Sequence, residues 1–334
     1  MAPAFSRRRR PGVSSAIDSD FDMPNRAQET AAPDRRGTPD VQTNLETQRS
    51  REAQQREEPH DGAEAAGFRQ QQIAEHVRYY RVVDAEYQTF EARQAWNEAV
   101  PGLRATWEEH KERYPEQPRT VPRTQPDGGW AADGGRRLTP EQNAEASKAC
   151  ADLRDKAGQV ILPAMHRVEA ASPDGRLAGL EHMLKGEDRL KEKIADYLRA
   201  PGVTVRGAVG KVPDAVRFTL IYDLNRYAEG VLGDVDRLKA EGFELIKLKN
   251  LWDTDQYKGV NSQWRRPDTG LRFEMQFHTA DSLEAKELTH EAYERLRSKT
   301  ASAAEERELE EYQRRVNVRL AIPPGTDEIK DFPE

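Results

Sequence analysis

The side chains best suited to chemistry sit in one short run, Leu271 to Thr279. Glu274, Gln276 and His278 alternate there with Phe273, Met275 and Phe277. A period of two marks a strand with one buried face. The carboxylate, the amide and the imidazole therefore share the other face. Such a row is the ordinary solvated side of a half-buried strand. It is equally the kind of wall a polar site is built from, and the surrounding sequence has to decide between the two.

The elements that would hold this strand are readable from punctuation and periodicity. Val216 to Tyr222 and Phe243 to Trp252 read as strands. Val260 to Arg265 and Leu271 to Thr279 read as a pair joined by the hairpin signal Pro267 to Gly270. Leu224 to Ala240 reads as a helix closed by Gly242. Asp281 with Glu284, and Ser302 with Glu305, read as capping boxes that open two more helices. Short helical stretches are expected over Leu177 to Leu184 and Asp188 to Leu198. The order β-α-β-β-β-α predicts an α+β fold, a mixed sheet flanked by helices.

Upstream, Thr139, Pro140 and Gln142 give a helix start that reaches Pro163 or, kinked, Ser172. Residues 115 to 137, rich in Pro and Gly, read as a loop. Ile73, Val77, Tyr80, Val83, Tyr87 and Phe90 recur at helical spacing, and Pro101-Gly102 is expected to interrupt that helix near Val100. Leu103 and Trp107 fall in a second helical piece. Residues 1 to 66 hold only Phe5 and Phe21 as aromatics and read as a disordered tail. The predicted organisation is a tail over 1–66, a helical region over 67–164, a mixed-sheet domain over 165–320 and a C-terminal tail over 321–334.

Bulk composition narrows the function classes. Of 334 residues, 36% are hydrophobic and 33% charged, and the net charge is -7, which argues against a general nucleic-acid coat. No apolar stretch reaches membrane-spanning length. Arg7 to Arg10 are not followed by an apolar segment, so no secretory signal is expected. The one cysteine, Cys150, permits no internal disulfide and suits a reducing setting. A cytoplasmic location is expected, unless a dedicated machine exports the chain.

Seven pieces then occur in a telling order. They are Lys185-Gly186, Asp188 to Lys193, Val212 to Phe218, Gly242-Phe243, Tyr257 to Asn261, Phe273 to Thr279 and His290 to Tyr293. Together they resemble the synthetase domain of the RelA/SpoT family over about residues 165 to 300. That resemblance implies a nucleotidyltransferase-like fold and transfer of pyrophosphate from ATP to the 3′-hydroxyl of a guanine or adenine nucleotide. It implies Mg²⁺, held by Asp214 and Glu274, since hard cations take carboxylates. It maps the base near the attacking hydroxyl onto Glu274. It maps the charge-neutralising cations onto Lys185, Lys193 and Arg217. Tyr257, Asn261, Gln276 and His278 complete the implied substrate-binding set.

The chain departs from the family pattern at three places. Met183 stands where the family has arginine, Ala215 where it has glycine, and Val260 where it has the base-stacking tyrosine. The nearest aromatic to the last is Tyr257. The family's His-Asp hydrolase domain has no counterpart.

Three functional readings follow. The first is a nucleotide pyrophosphokinase. A long leader ahead of one enzymatic domain is similar to the layout of bacterial toxins, which implies a neutralising antitoxin or immunity protein as partner. The second reading changes the acceptor to the tRNA 3′ end, for which Lys247, Lys249, Arg265 and Arg266 would form a basic groove. The third is a nucleotide-binding regulatory module without activity, in keeping with Met183.

Overall fold

The structure, a computed structural model, describes residues 62–115, 122–299 and 301–333. The disorder expected of the N-terminal tail falls, up to residue 61, outside the described residues.

The described residues begin with one long helix, α1 (Gly62–Arg113), that runs through Pro101. The expected break at Pro101-Gly102 does not occur. A proline inside a helix costs about 3 kcal/mol, and packing on both sides of it offsets that cost. Trp96, Leu103 and Trp107 are all buried, in one cluster with Ala285, Ala292, Leu309, Tyr312 and Val316. Residues 62–91 form a unit of their own, in which Ile73, Val77, Tyr80, Val83, Tyr87 and Phe90 are exposed.

The Pro- and Gly-rich segment, expected to be a loop, folds into a small antiparallel sheet. Its strands are β1 (Arg123–Thr124), β2 (Trp130–Ala132) and β3 (Arg136–Leu138). Trp130 anchors it, being 1% exposed and donating from Nε1 to Asp188 at 2.8 Å. Thr139, Pro140 and Gln142 then start α2 (Pro140–Lys156) with the expected capping box. A π-helical turn (Ala157–Ile161) leads into α3 (Leu162–Ala171), so the axis continues through Pro163 to Ser172.

The second half is the α+β domain. β4 (Arg176–Ala178) and a 3₁₀ turn (Leu180–His182) replace the helix expected over Leu177 to Leu184. The apolar spacing there suits a helix, but three residues pair instead with the edge of the sheet, Leu177 opposite Leu220. After α4 (Glu187–Leu198) comes a short helix not foreseen in the sequence, α5 (Val205–Lys211). β5 (Arg217–Tyr222), α6 (Tyr227–Ala240), β6 (Glu244–Asn250), β7 (Val260–Arg265) and β8 (Arg272–Thr279) follow as expected. Two helices finish the domain, α7 (Ala280–Ser298) and α8 (Ala303–Asn317).

The five-stranded sheet has the order β4-β5-β8-β7-β6. β8 lies parallel to β5 and antiparallel to β7. Its odd-numbered residues Phe273, Met275 and Phe277 are fully buried in the main core with Phe218, Tyr227, Phe243 and Trp264. Burying such a side chain stabilises by about 1.5–3 kcal/mol. Beyond α8 the chain folds back to β6, where the Leu248 and Phe332 backbones exchange hydrogen bonds of 2.7 and 2.9 Å. Among the described residues, no helix is long and apolar enough to cross a membrane.

Candidate active site

The polar face of β8 is walled in rather than solvated. Register places Glu274 beside Arg217 on β5 and Gln263 on β7, and Gln276 beside Thr219 and Asn261. Gln276 is 3% exposed and His278 is fully buried.

Asp214 lies just ahead of β5 and gathers three cations. Lys193, from α4, reaches its two oxygens at 2.6 and 2.8 Å. Lys185 stands at 3.3 Å and Arg217 at 3.5 Å. Backbone pairing brings Lys185 there, because its N–H donates to Ala215 and the Arg217 N–H donates to Met183. That pairing turns the Met183 side chain onto the main core. Burial alone would raise the Asp214 pKa, but Lys185, Lys193 and Arg217 outweigh it and hold the carboxyl at about 2. Burial conversely lowers the pKa of Lys185 against the pull of Asp214.

Arg217 links this cluster to the next. Its Nε donates to Glu274 Oε2 at 2.9 Å, and Gln276 Nε2 donates to Glu274 Oε1 at 2.9 Å. Lys286, on α7, donates to Gln276 Oε1 at 2.7 Å. Burial and the neighbouring Arg217 lower the Lys286 pKa to about 8. Within this hydrogen-bonded group four cationic side chains face two carboxylates. The excess positive charge suits this cluster to a strongly anionic ligand. The ion-paired side chains of Asp214, Lys185, Lys193, Arg217 and Glu274 keep 13 to 27% of their surface exposed, so a ligand can reach them.

Tyr257, Asn261 and His278 form an adjoining network. The Tyr257 hydroxyl bonds Asn261 Oδ1 at 2.8 Å and His278 Nε2 at 2.7 Å, and His278 Nδ1 meets Ser282 Oγ at 2.9 Å. Burial, reinforced by Lys286, pushes the His278 pKa well below its ordinary value, so the ring is neutral. Tyr257 meets it edge-on, with centroids 5.3 Å apart. Gly259 makes room for this arrangement. At its φ of +151° a Cβ would lie 2.9 Å from His278 Cε1 and 3.0 Å from the Phe277 carbonyl.

All nine residues singled out in the sequence therefore lie in these two neighbouring networks. Two contributors were missed, Lys286 and Ser282. The signal for them was helical phase. The cap of α7 is Thr279 with Ser282, not Asp281 with Glu284, so the helix starts as soon as β8 ends. Thr279, Ser282 and Lys286 then share one helix face.

The donor set suits Mg²⁺ in one specific way. Mg²⁺ is commonly held by one or two carboxylates with substrate phosphates and water supplying the rest. Asp214 and Glu274, joined through Arg217, are such a pair. Among the described residues, no group of three or more His, Cys, Asp or Glu is placed to hold a metal. The basic groove expected for tRNA is largely neutralised: Lys249 pairs with Asp331, Arg265 with Glu244 and Arg266 with Asp268.

No family model matches the chain, and no curated protein matches it. Among solved structures it is similar to the small alarmone synthetase 2 from Bacillus subtilis, at 13% identity and a TM-score of 0.34, covering 53% of this chain and 93% of that one. It is similar also to the small alarmone synthetase 1 from Bacillus subtilis bound to its product pppGpp, at 14% identity and a TM-score of 0.34, covering 52% and 87%. A GTP pyrophosphokinase family protein from Streptococcus pneumoniae aligns at 16% identity and a TM-score of 0.33, covering 53% and 87%. Likenesses of this size assign no activity.

Proposed function

We propose that this chain is a nucleotide pyrophosphokinase that moves pyrophosphate from ATP to the 3′-hydroxyl of a guanine or adenine nucleotide. The observation that carries the reading is the convergence of Lys185, Lys193 and Arg217 on Asp214, with Arg217 bridging onward to Glu274. Transfer between phosphates asks a protein for positioning and for neutralisation of spread negative charge. This cluster supplies both.

In this reading the three cations exchange the Asp214 carboxylate for the triphosphate oxygens of ATP. Asp214 and Glu274 are the carboxylates that would hold Mg²⁺, which would supply further neutralisation of charge on the triphosphate. Glu274 takes the proton of the acceptor hydroxyl. The hydroxyl oxygen bonds the β-phosphorus of ATP, the bond from that phosphorus to the α–β bridging oxygen breaks, and AMP leaves. The paired donors on Glu274 hold its carboxylate still, so that one oxygen can face the acceptor.

The test offers GDP, GTP, ADP, ATP and bulk tRNA separately to the protein with γ-labelled ATP and Mg²⁺. Label should pass to a mononucleotide, and Glu274→Gln should lower the rate by about 100-fold or more while circular dichroism stays unchanged. Absence of transfer to any acceptor by folded wild-type protein would leave a nucleotide-binding module. Label on tRNA alone would move the acceptor class.

A further inference from the structure

We infer that Lys286 is a positioning residue for this reaction, acting on Glu274 through the side-chain amide of Gln276. The inference rests on the proposed transferase reading and adds to it a residue from α7.

The geometry is a directed chain. Lys286 has donors only, so at 2.7 Å it fixes the oxygen end of the Gln276 amide toward itself. The nitrogen end must then face Glu274, which it meets at 2.9 Å. Arg217 occupies the other oxygen of Glu274 at 2.9 Å. The carboxylate is gripped from both sides, by Arg217 on β5 and Gln276 on β8, and Lys286 on α7 orients the second of these donors. An amide alone has two nearly isosteric orientations, and the wrong one would point a carbonyl at a carboxylate. Lys286 removes that choice.

The fold prepares this contact. The Thr279–Ser282 cap turns the chain from β8 directly into α7, with the Ser282 N–H donating to Thr279 Oγ1 at 3.1 Å. Lys286 lies one turn beyond Ser282 on the same face and so reaches back over the strand it has just left. Gln276 is 3% exposed, which shields the chain of hydrogen bonds from competing water.

The experiment is a double-mutant cycle read by transfer kinetics. Lys286→Met should lower kcat about tenfold, the worth of one charge-assisted hydrogen bond, a larger effect than on KM for ATP. Lys286→Arg, which keeps a donor, should restore most of it. Because the effect runs through Gln276, Lys286→Met combined with Gln276→Leu should be no slower than Gln276→Leu alone. Additive losses, or an unchanged kcat in Lys286→Met, would overturn the inference. Should Lys286→Met fail to fold, Gln276→Leu decides, since an unchanged kcat there breaks the chain. A wild type without transfer refutes the transferase reading; an active wild type with unaffected variants refutes only the positioning role.

Discussion

The sheet core and the helical cluster at the end of α1 are built from similar aromatic residues, yet they are bordered differently. The core packs Phe218, Phe243, Trp264, Phe273 and Phe277 behind a strand ladder. The helical cluster packs Trp96, Leu103, Trp107 and Tyr312 inside a ring of polar contacts. There Trp96 donates to Glu284 at 2.8 Å and Trp107 to Glu291 at 3.0 Å, and Arg295 stacks over the Trp107 ring. The candidate site uses the reverse side of the same strands that bury the core. Helix α7 joins the site to the helical cluster, with Lys286 on the site side and Ala285 and Ala292 in the cluster. The side chains of the candidate site are held by backbone register, while the helical cluster holds α7 from outside as a clamp.

The sharpest way to break this contrast is to cut one aromatic from each region. Phe273→Ala should cost about 3–5 kcal/mol and should abolish transfer, because Glu274 is its neighbour on the strand. Trp107→Ala should cost a comparable amount, while kcat stays within about threefold below the melting point. Denaturant unfolding and the transfer assay read both, and a large kcat loss in Trp107→Ala would erase the distinction.

A smaller effect probes the site's charges. The Asp214 pKa, about 2, lies below its ordinary value. Its stabilising contribution is therefore complete above about pH 4 and is lost as pH falls through 2. The gap in unfolding free energy between wild type and Asp214→Asn, on the order of 2 kcal/mol at neutral pH, should narrow over that acid range. A gap constant with pH would show that the three cations do not depend on this carboxylate.

The smallest effect concerns the clamp. Pro101→Ala should raise the unfolding free energy by at least about 1 kcal/mol, because the helix already runs through that position. No gain in thermal unfolding would mean that α1 gives up nothing at the proline.

These contrasts also explain what was legible in the sequence. The strands of the site could be read because alternation survives wherever one face is apolar, as in Phe273 to Phe277. Asp214, Arg217 and Glu274 could be placed together because seven short pieces kept their order. β4 could not, since three residues are too few for a period to arbitrate. The small sheet around Trp130 was hidden by glycines and prolines that punctuate loops and tight hairpins alike. The run of α1 through Pro101 was decided by tertiary contacts of Trp96 and Trp107, which local propensity does not see. Lys286 was missed because its role depends on where α7 begins, and Thr279 serves as the last residue of a strand and the cap of a helix at once.

The return of the chain to β6 has a consequence for association. An outermost strand offers unpaired N–H and C=O groups to any other extended chain. In this molecule the backbone of Phe332 occupies Leu248 on that strand, and Asp331 pairs with Lys249 and accepts from the Asn250 N–H at 2.9 Å. Asp331 and Phe332 thus work as a short cover strip over part of the outer edge of β6, at Leu248 and Asn250, where another extended chain would otherwise find free backbone groups.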